Sequence, residues 1–216
     1  MPASKLPVHS TLPYILICGS YLSNKLNDKL CTILGSELAK CNIGIISGGS
    51  KPGIKVAVSF HKMLNDLDLY KSDKIITVYR RKSSLEDLKI KRIGCICFEG
   101  KNIEEMRNYL VLNSEVVIVI GGAIKTRQEI LLAQERDVPI IPIGMSKGAA
   151  YNLWSYYCKS LKFKNDETFA KLNNKNPFIV SDAVITILRE LILKDKKRKR
   201  VDQKLLRETL NYKISN

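Results

Sequence analysis

Residues 116–129 read VVIVIGGAIKTRQE, and this stretch decides the fold of the chain. The β-branched run Val117–Ile120 suits a strand that is covered on both faces, as in a parallel sheet. The following pair, Gly121-Gly122, allows backbone N–H groups to approach an anion without a Cβ in the way. Thr126 and Glu129 have the spacing of a helix capping box. The stretch therefore predicts a strand, a glycine turn that can receive phosphate, and a helix.

Two earlier strands are expected to end in similar turns. The apolar run Tyr14–Cys18 ends at Gly19-Ser20, and Gly44–Ile46 leads to Gly48-Gly49. Each is followed by apolar residues at helical spacing. Parallel strands bring their carboxyl ends to one sheet edge, where open α/β sheets bind ligands. All three glycine turns are therefore predicted to line one phosphate-binding site.

Strands and helices alternate along the rest of the chain. Besides the strand Val116–Gly121, further strands are expected at Ile75–Tyr79, Ile93–Phe98 and Pro139–Ile143. Helices are expected at Asn27–Lys40, Gly53–Leu64, Ile103–Leu112, Thr126–Glu135 and Tyr151–Leu161. This order predicts an α/β three-layer sandwich with a mainly parallel sheet and right-handed connections. The polar, basic segment Arg80–Arg92 is expected to be a mobile loop or a short helix.

An amphipathic helix is expected from Ser181, running into the basic cluster Lys196–Arg200. That cluster suits a localisation signal, a nucleic-acid contact or a solvated helix end. Asp202–Leu210 either continues the helix or serves an oligomer. The expected organisation is a flexible N-terminus (1–13), one domain (14–193) and a basic helical tail (194–216).

The chain carries 36 Lys and Arg against 21 Asp and Glu, a formal charge of +15. This excess favours an anionic partner such as a nucleotide, a nucleic acid or an acidic surface, although solvated surface and tail also account for it. No apolar run approaches the roughly 20 residues that span a bilayer. Met1–Thr11 lacks the apolar core of a secretory signal, which favours a cytoplasmic protein.

The cysteines lie mostly in apolar segments and show no paired CxxC spacing. They are Cys18, Cys31, Cys41, Cys95, Cys97 and Cys158. We expect reduced core residues, with Cys95 and Cys97 on one strand face. Since His9 and His61 offer few companion ligands, neither a metal nor a cofactor is predicted.

Four motifs, in this order, resemble the SLOG superfamily, which includes the LOG-type proteins. They are Ile17–Ser20, Ile46–Ile54, Glu105–Arg107 and Ile120–Glu129. The resemblance covers roughly Tyr14 to Trp154 and implies a Rossmann-like fold. Enzymes of this superfamily release a base from a nucleoside 5′-monophosphate. Its sensor branch binds an ADP-ribose-derived signal in the same pocket, as in the SLOG modules of Thoeris-type antiphage effectors.

The resemblance implies roles for several side chains. Glu129 matches the family's acid and Arg107 its arginine, so the pair is either catalytic or holds ribose and phosphate. A helix cap and a surface arginine are their ordinary roles. Thr126 belongs to the same motif, and Lys101 and Lys125 are expected either to face the ligand or to be surface lysines.

The last motif departs from the enzyme pattern in three ways. Ile120 replaces a proline, the segment between Gly122 and Thr126 is one residue longer, and Lys125 replaces a glycine. The longer basic turn favours a larger, doubly phosphorylated ligand over a monophosphate.

Three functions are carried forward. The first is a sensor or sequestering protein for a cyclic or linear ADP-ribose-type signal in prokaryotic or phage immunity. The second is a nucleoside 5′-monophosphate phosphoribohydrolase, and the third, suggested by the charge, is a nucleic-acid binder. A homo-oligomer is expected from the resemblance, with the aromatic cluster Tyr151–Tyr157 as a candidate interface or as core packing.

Overall fold

The structure is a computed structural model that describes residues 12–22, 24–80, 93–160 and 165–193. Its strands are β1 (Tyr14–Ser20), β2 (Gly44–Ser47), β3 (Ile75–Tyr79), β4 (Cys95–Phe98), β5 (Val116–Gly121) and β6 (Ile140–Ile143). They form one six-stranded sheet in the order β4-β3-β2-β1-β5-β6, and every neighbouring pair is parallel.

Helices cover both faces of the sheet. They are α1 (Lys25–Ala39), α2 (Lys51–Asp66), α3 (Ile103–Leu112), α4 (Ile124–Glu135), α5 (Gly148–Lys159), the short α6 (Glu167–Ala170) and α7 (residues 177–193). One apolar core holds α1, α2 and α7 against the sheet, and a second core holds α3, α4 and α5 against the other face. The expected Rossmann-like α/β sandwich and its helical C-terminal region are confirmed.

β5 shows why the sheet is the middle layer. Ile118 and Ile120 point into the first core, whereas Val117 and Val119 point into the second. All four side chains have 0% exposure. Burying each contributes about 1.5–3 kcal/mol relative to leaving it in water, so the strand gains stability from both layers of helices.

Helix starts follow their capping residues. Asn24 caps α1 by accepting hydrogen bonds from the amides of Leu26 (2.9 Å) and Asn27 (3.3 Å). Ser50 caps α2 by accepting from the amide of Gly53 at 3.3 Å. Both helices therefore begin two residues earlier than the apolar spacing predicts, because the cap and not the first apolar residue determines the start.

The other boundaries agree with expectation to within a few residues, and β3, α3 and β5 match the predicted ranges. β4 is shorter than predicted because Gly94 has φ +72°, and a Cβ there would lie 2.2 Å from the carbonyl oxygen of Ile75. Residues 81–92, which form nearly all of the predicted loop Arg80–Arg92, lie outside the described residues. So do the basic cluster Lys196–Arg200 and the segment Asp202–Leu210.

The aromatic cluster of α5 packs mainly inside the protein. Trp154 Nε1 donates to the carbonyl oxygen of Phe169 at 3.1 Å, and the rings of Tyr157 and Phe169 lie 6.1 Å apart. Tyr156 is the outward member, with 68% exposure. Core packing thus accounts for Trp154 and Tyr157. No helix within the described ranges is long and apolar enough to cross a membrane.

The strand order reverses between β1 and β5. From β1 the chain adds β2, β3 and β4 on one side, whereas β5 and β6 lie on the other. The β1–β5 ladder runs to the last residue pair, Ser20 opposite Gly121. Gly19 has φ +125°, and a Cβ there would lie 2.1 Å from the carbonyl oxygen of Ile120. The close pairing at this switch point therefore requires glycine.

We predict that Gly19→Ala destabilises the fold by about 2–5 kcal/mol, because backbone strain and overpacking each cost about 1–3 kcal/mol. Urea unfolding measures this. Gly48→Ala is the matched control, since a Cβ at Gly48 meets only the flexible ends of Leu110 and Met106, at 3.2 and 3.4 Å. Equal losses in the two variants would contradict the steric explanation.

Candidate functional site

The candidate site lies where β1 and β5 end and their chains leave to opposite faces of the sheet. We call this place the switch crevice and define it by Ser20, Tyr21, Gly121, Gly122 and Ala123. Crevices at such reversals are where open α/β sheets bind ligands. The structure thus brings the turns after β1 and β5 together, as predicted.

The glycine pair after β5 is already hydrogen-bonded inside the protein. The amide of Gly121 donates to Oγ of Ser146 at 2.6 Å, and the amide of Gly122 donates to the carbonyl oxygen of Ser20 at 2.6 Å. The carbonyl oxygen of Gly122 accepts from the amide of Ala149 at 2.9 Å. The expectation that these two amides receive an anion is therefore wrong for this arrangement, and the pair forms the floor of the crevice.

The start of α4 is the open, positive element of the crevice. Its N-cap is Ala123, and no side chain within the described part of the chain caps it. Its first turn has no acidic residue but carries Lys125 and Arg127, both exposed. The amides of Ile124 and Lys125 precede the first intrahelical bonds of the helix. Amides that make no intrahelical bond, the helix dipole and two cations together favour an anion here.

The predicted capping box is wrong. α4 starts at Ile124, so Thr126 lies within its first turn and does not cap it. Thr126 is 2% exposed, and a Cβ at Gly122 would lie 2.5 Å from its Cβ. The threonine side chain fills the space that Gly122 leaves, and this packing draws the helix start closer to the strand. Glu129 is consequently free to face α3 instead of the helix start.

Arg107 and Glu129 form a pair between α3 and α4. Arg107 Nε lies 3.7 Å from Glu129 Oε1, and the two side chains are 7% and 19% exposed. Burial raises the pKa of Glu129 above its ordinary value, while the charge of Arg107 and a hydrogen bond with Cys18 on β1 oppose that rise. The carboxyl group therefore lies between Arg107 on α3 and Cys18 on β1.

The guanidinium group of Arg107 is hydrogen-bonded to α4. Nη1 donates to Oε1 of Gln128 at 2.6 Å, and Nε has no hydrogen-bond partner among the described residues. On its outer side a cleft of about 280 Å³ separates α3 from α4. The structure thus brings Arg107 and Glu129 together, but it places Arg107 beside the carboxylate and not at the exposed start of α4.

The remaining predicted residues lie farther along the sheet edge. Gly48 and Gly49 follow β2, next to β1, and Gly49 has φ +71° with the ring of Tyr79 against it. Lys101 is exposed beyond the edge strand β4. Three strand spacings separate β4 from β1, about 14 Å. Lys101 is therefore not among the residues that the fold gathers at the crevice.

Two residues at the crevice were not predicted. Tyr21 follows β1 directly, and Nζ of Lys51 lies 4.8 Å from the centre of its ring. Lys51 belongs to the second family motif, and the available signal was a lysine in the first turn of a helix, where the dipole disfavours a cation. Within the described residues, no group of three or more His, Cys, Asp or Glu side chains is placed to hold a metal.

Comparison with known proteins shows the fold. No protein-family model matches the chain, and no curated protein sequence matches it. A molybdenum cofactor binding protein from Rippkaea orientalis is similar in structure, with TM-score 0.58 and 17% identity over 84% of this chain and 98% of that one.

Two further solved structures are similar. The molybdenum cofactor carrier protein of Chlamydomonas reinhardtii has TM-score 0.58 and 14% identity, over 84% of this chain and 99% of that one. DNA processing protein A of Helicobacter pylori, studied for single-stranded DNA binding, has TM-score 0.54 and 18% identity, over 83% and 82%. At these identities the likeness shows that the chain shares their Rossmann-like fold.

We predict a pH-dependent stability contribution from Glu129. The pKa of Glu129 is higher in the folded protein than in the unfolded chain, so the folded state binds the proton more tightly. The stabilisation that this gives is complete below the ordinary glutamate pKa and is lost as pH rises through the pKa of Glu129 in the folded protein. Relative to Glu129→Gln, the wild type should therefore lose unfolding free energy as pH rises from about 4. Urea unfolding at several pH values measures this, with Glu135→Gln, on the exposed face of α4, as the control for removing a carboxylate. A difference that does not vary with pH would contradict the prediction.

Proposed function

We propose that the chain binds a phosphate-bearing nucleotide in the switch crevice, and that the ligand is an ADP-ribose-derived signal, cyclic or linear. In this proposal the chain acts as a sensor or a sequestering protein. The role in prokaryotic or phage immunity that the SLOG resemblance implies stays a prediction.

The observation that carries the proposal is the uncapped start of α4. α1 and α3 have side-chain caps and acidic residues in their first turns, as most helix starts favour. α4 has neither, and it carries Lys125 and Arg127 instead. Two cations beside amides that make no intrahelical bond oppose the helix dipole unless an anion lies between them. A phosphate group at this place supplies that charge.

The crevice also supports a ligand larger than phosphate alone. Its floor is held by the hydrogen bonds of Gly121 and Gly122, so it offers a fixed surface for the uncharged part of a nucleotide. Two similar structures are named as a molybdenum cofactor binding protein and a molybdenum cofactor carrier protein, which supports use of this fold for holding a small ligand.

A second function, nucleoside 5′-monophosphate hydrolysis, is supported by the buried pair of Arg107 and Glu129. Glycosidic cleavage uses a carboxyl group near the ribose, and general acids commonly have a raised pKa. The pKa of Glu129 is shifted in that direction by burial. The same pair suits a receptor, in which Glu129 accepts hydrogen bonds from ribose hydroxyls.

Binding is tested by thermal unfolding and calorimetry with ADP-ribose and its cyclic isomers. At 100 times the dissociation constant a ligand stabilises the fold by about 2.7 kcal/mol, which raises Tm by about 5–10 °C for a domain of this size. We expect Lys125→Gln to weaken binding by a factor of about 10 to 150, because a charged hydrogen bond contributes about 1.5–3 kcal/mol and each 1.4 kcal/mol is tenfold in affinity.

The matched control for this variant is Lys62→Gln, an exposed lysine on α2, which should bind as the wild type does. No Tm shift with any of these nucleotides would reject the ADP-ribose proposal. If a single-stranded oligonucleotide instead displaced them and bound more weakly as salt increased, the nucleic-acid hypothesis would replace it.

Hydrolysis is tested by chromatography after incubation with AMP. For a binding module we expect AMP to be recovered intact. Release of free adenine that falls at least about 100-fold in Glu129→Gln, with AMP binding unchanged, would establish the hydrolase, since general acid catalysis contributes about 10²–10⁴-fold. Release that Glu129→Gln leaves unchanged would point to a contaminating enzyme and leave the binding proposal in place.

A further inference from the structure

We propose that the cleft between α3 and α4 receives the base of the nucleotide and selects an amino-bearing base of the adenine type, through the side-chain amides of Asn108 and Gln128. This inference rests on the proposed function and deepens it. It names the residues that recognise the base, whereas the start of α4 receives the phosphate.

The cleft opens beside the switch crevice. α3 and α4 follow the parallel strands β4 and β5, so both helices begin at the carboxyl edge of the sheet. Gln128, which lines the cleft, is four residues beyond Ile124, the first residue of α4, and this spacing is about 6 Å along the helix axis. The cleft has a volume of about 280 Å³. Pockets of about 300–1,000 Å³ hold drug-sized ligands, so this one suits a single heterocyclic base.

Arg107 fixes the amide group of Gln128. Its Nη1 donates to Oε1 of Gln128 at 2.6 Å, and the arginine side chain is only 7% exposed, so the guanidinium is a firm anchor. The oxygen of the Gln128 amide therefore faces Arg107, and its NH₂ group is the end that is left for a ligand. Because Gln128 is exposed and lines the cleft, a base can reach this donor.

Asn108 provides the complementary acceptor. It follows Arg107 on α3 and lines the same cleft. Its Oδ1 is buried and has no hydrogen-bond partner among the described residues. A buried acceptor without a donor costs free energy of folding, so a ligand N–H group that reaches Oδ1 makes a bond that the fold itself does not supply. The terminal torsion of asparagine has a broad range, which allows Oδ1 to turn toward the cleft.

The charges of the cleft disfavour phosphate and favour an amino group. Glu104 and Glu135, both exposed, line it. The basic residue that lines it, Arg107, has Nε 3.7 Å from Oε1 of Glu129, which offsets its charge. Carboxylates accept hydrogen bonds from N–H groups and repel phosphate. The phosphate therefore stays at the start of α4, and the uncharged base enters the cleft.

These groups match the edge of adenine. That edge places an amino group, which donates, beside a ring nitrogen, which accepts, and asparagine and glutamine amides pair with it. The amino group donates to Oδ1 of Asn108, and the ring nitrogen accepts from the NH₂ group of Gln128. Leu131 and Leu132 line the cleft as apolar surface for the flat ring. Hypoxanthine has an oxygen in place of the amino group, and that oxygen faces acceptors to which it cannot donate.

The test is calorimetry of ADP-ribose and its hypoxanthine counterpart, inosine diphosphate ribose, with the full chain. The two ligands share their phosphates and sugars and differ only in the base, so the phosphate position does not distinguish them. We expect the wild type to bind ADP-ribose at least 10-fold more tightly, because a bidentate base contact discriminates by a factor of about 5–150.

Three variants assign this preference to the cleft. Asn108→Leu should weaken ADP-ribose binding at least 5-fold and change binding of the hypoxanthine ligand less than 2-fold. Gln128→Glu keeps an oxygen for Arg107 but replaces the donor, and it should also weaken ADP-ribose binding at least 5-fold. The matched control is Asn65→Leu, an exposed asparagine on α2, which should behave as the wild type.

Urea unfolding without ligand separates base recognition from a structural role. Since Oδ1 of Asn108 has no partner among the described residues, Asn108→Leu should unfold at the wild-type midpoint or above it. A clear fall would show that the fold uses this amide and would overturn the inference. Equal affinity of the wild type for the two ligands, or equal weakening of both in Asn108→Leu, would also overturn it while nucleotide binding stands. If neither ligand binds, the proposed function itself fails.

Discussion

β1 and β5 pair up to their carboxyl ends because no side chain stands between them. A Cβ at Gly19 would lie 2.1 Å from the carbonyl oxygen of Ile120, and one at Gly121 would lie 2.4 Å from that of Ser20. With glycine at both places, the two strands stay together until their last residues and then lead to helices on opposite faces. The crevice and everything that lines it follow from this close approach.

Shape and charge at the crevice come from different parts of the chain. The floor is held by hydrogen bonds from Gly121 to Ser146 and from Gly122 to Ser20, so its amides are used in holding the fold. The positive charge comes from the first turn of α4, which carries Lys125 and Arg127. In the proposed site, the groups that set the shape of the crevice are therefore not the ones that would contact an anion.

Burying Arg107 and Glu129 removes water from two charged groups, which costs free energy of folding unless the two charges attract each other closely enough to offset it. Their 3.7 Å separation and the bond from Arg107 to Gln128 provide part of that compensation. Burial still raises the pKa of Glu129, which leaves this carboxyl group more easily protonated than an exposed glutamate. A nucleotide receptor and a hydrolase would both use such a carboxyl group. The position of Glu129 therefore does not distinguish the two functions, whereas assays of nucleotide binding and of base release do.

The sequence by itself determined the order of the six strands and the main helices, and their bounds to within a few residues, because buried β-branched runs and helical apolar spacing are local patterns. It also placed Gly19, Gly121 and Gly122 at one edge. Only the tertiary structure decided that the amides of Gly121 and Gly122 donate within the protein, that Thr126 packs beneath Gly122, and that Lys51 reaches Tyr21. Those contacts join residues far apart in the chain, and their hydrogen-bond partners and side-chain directions are set by packing between elements.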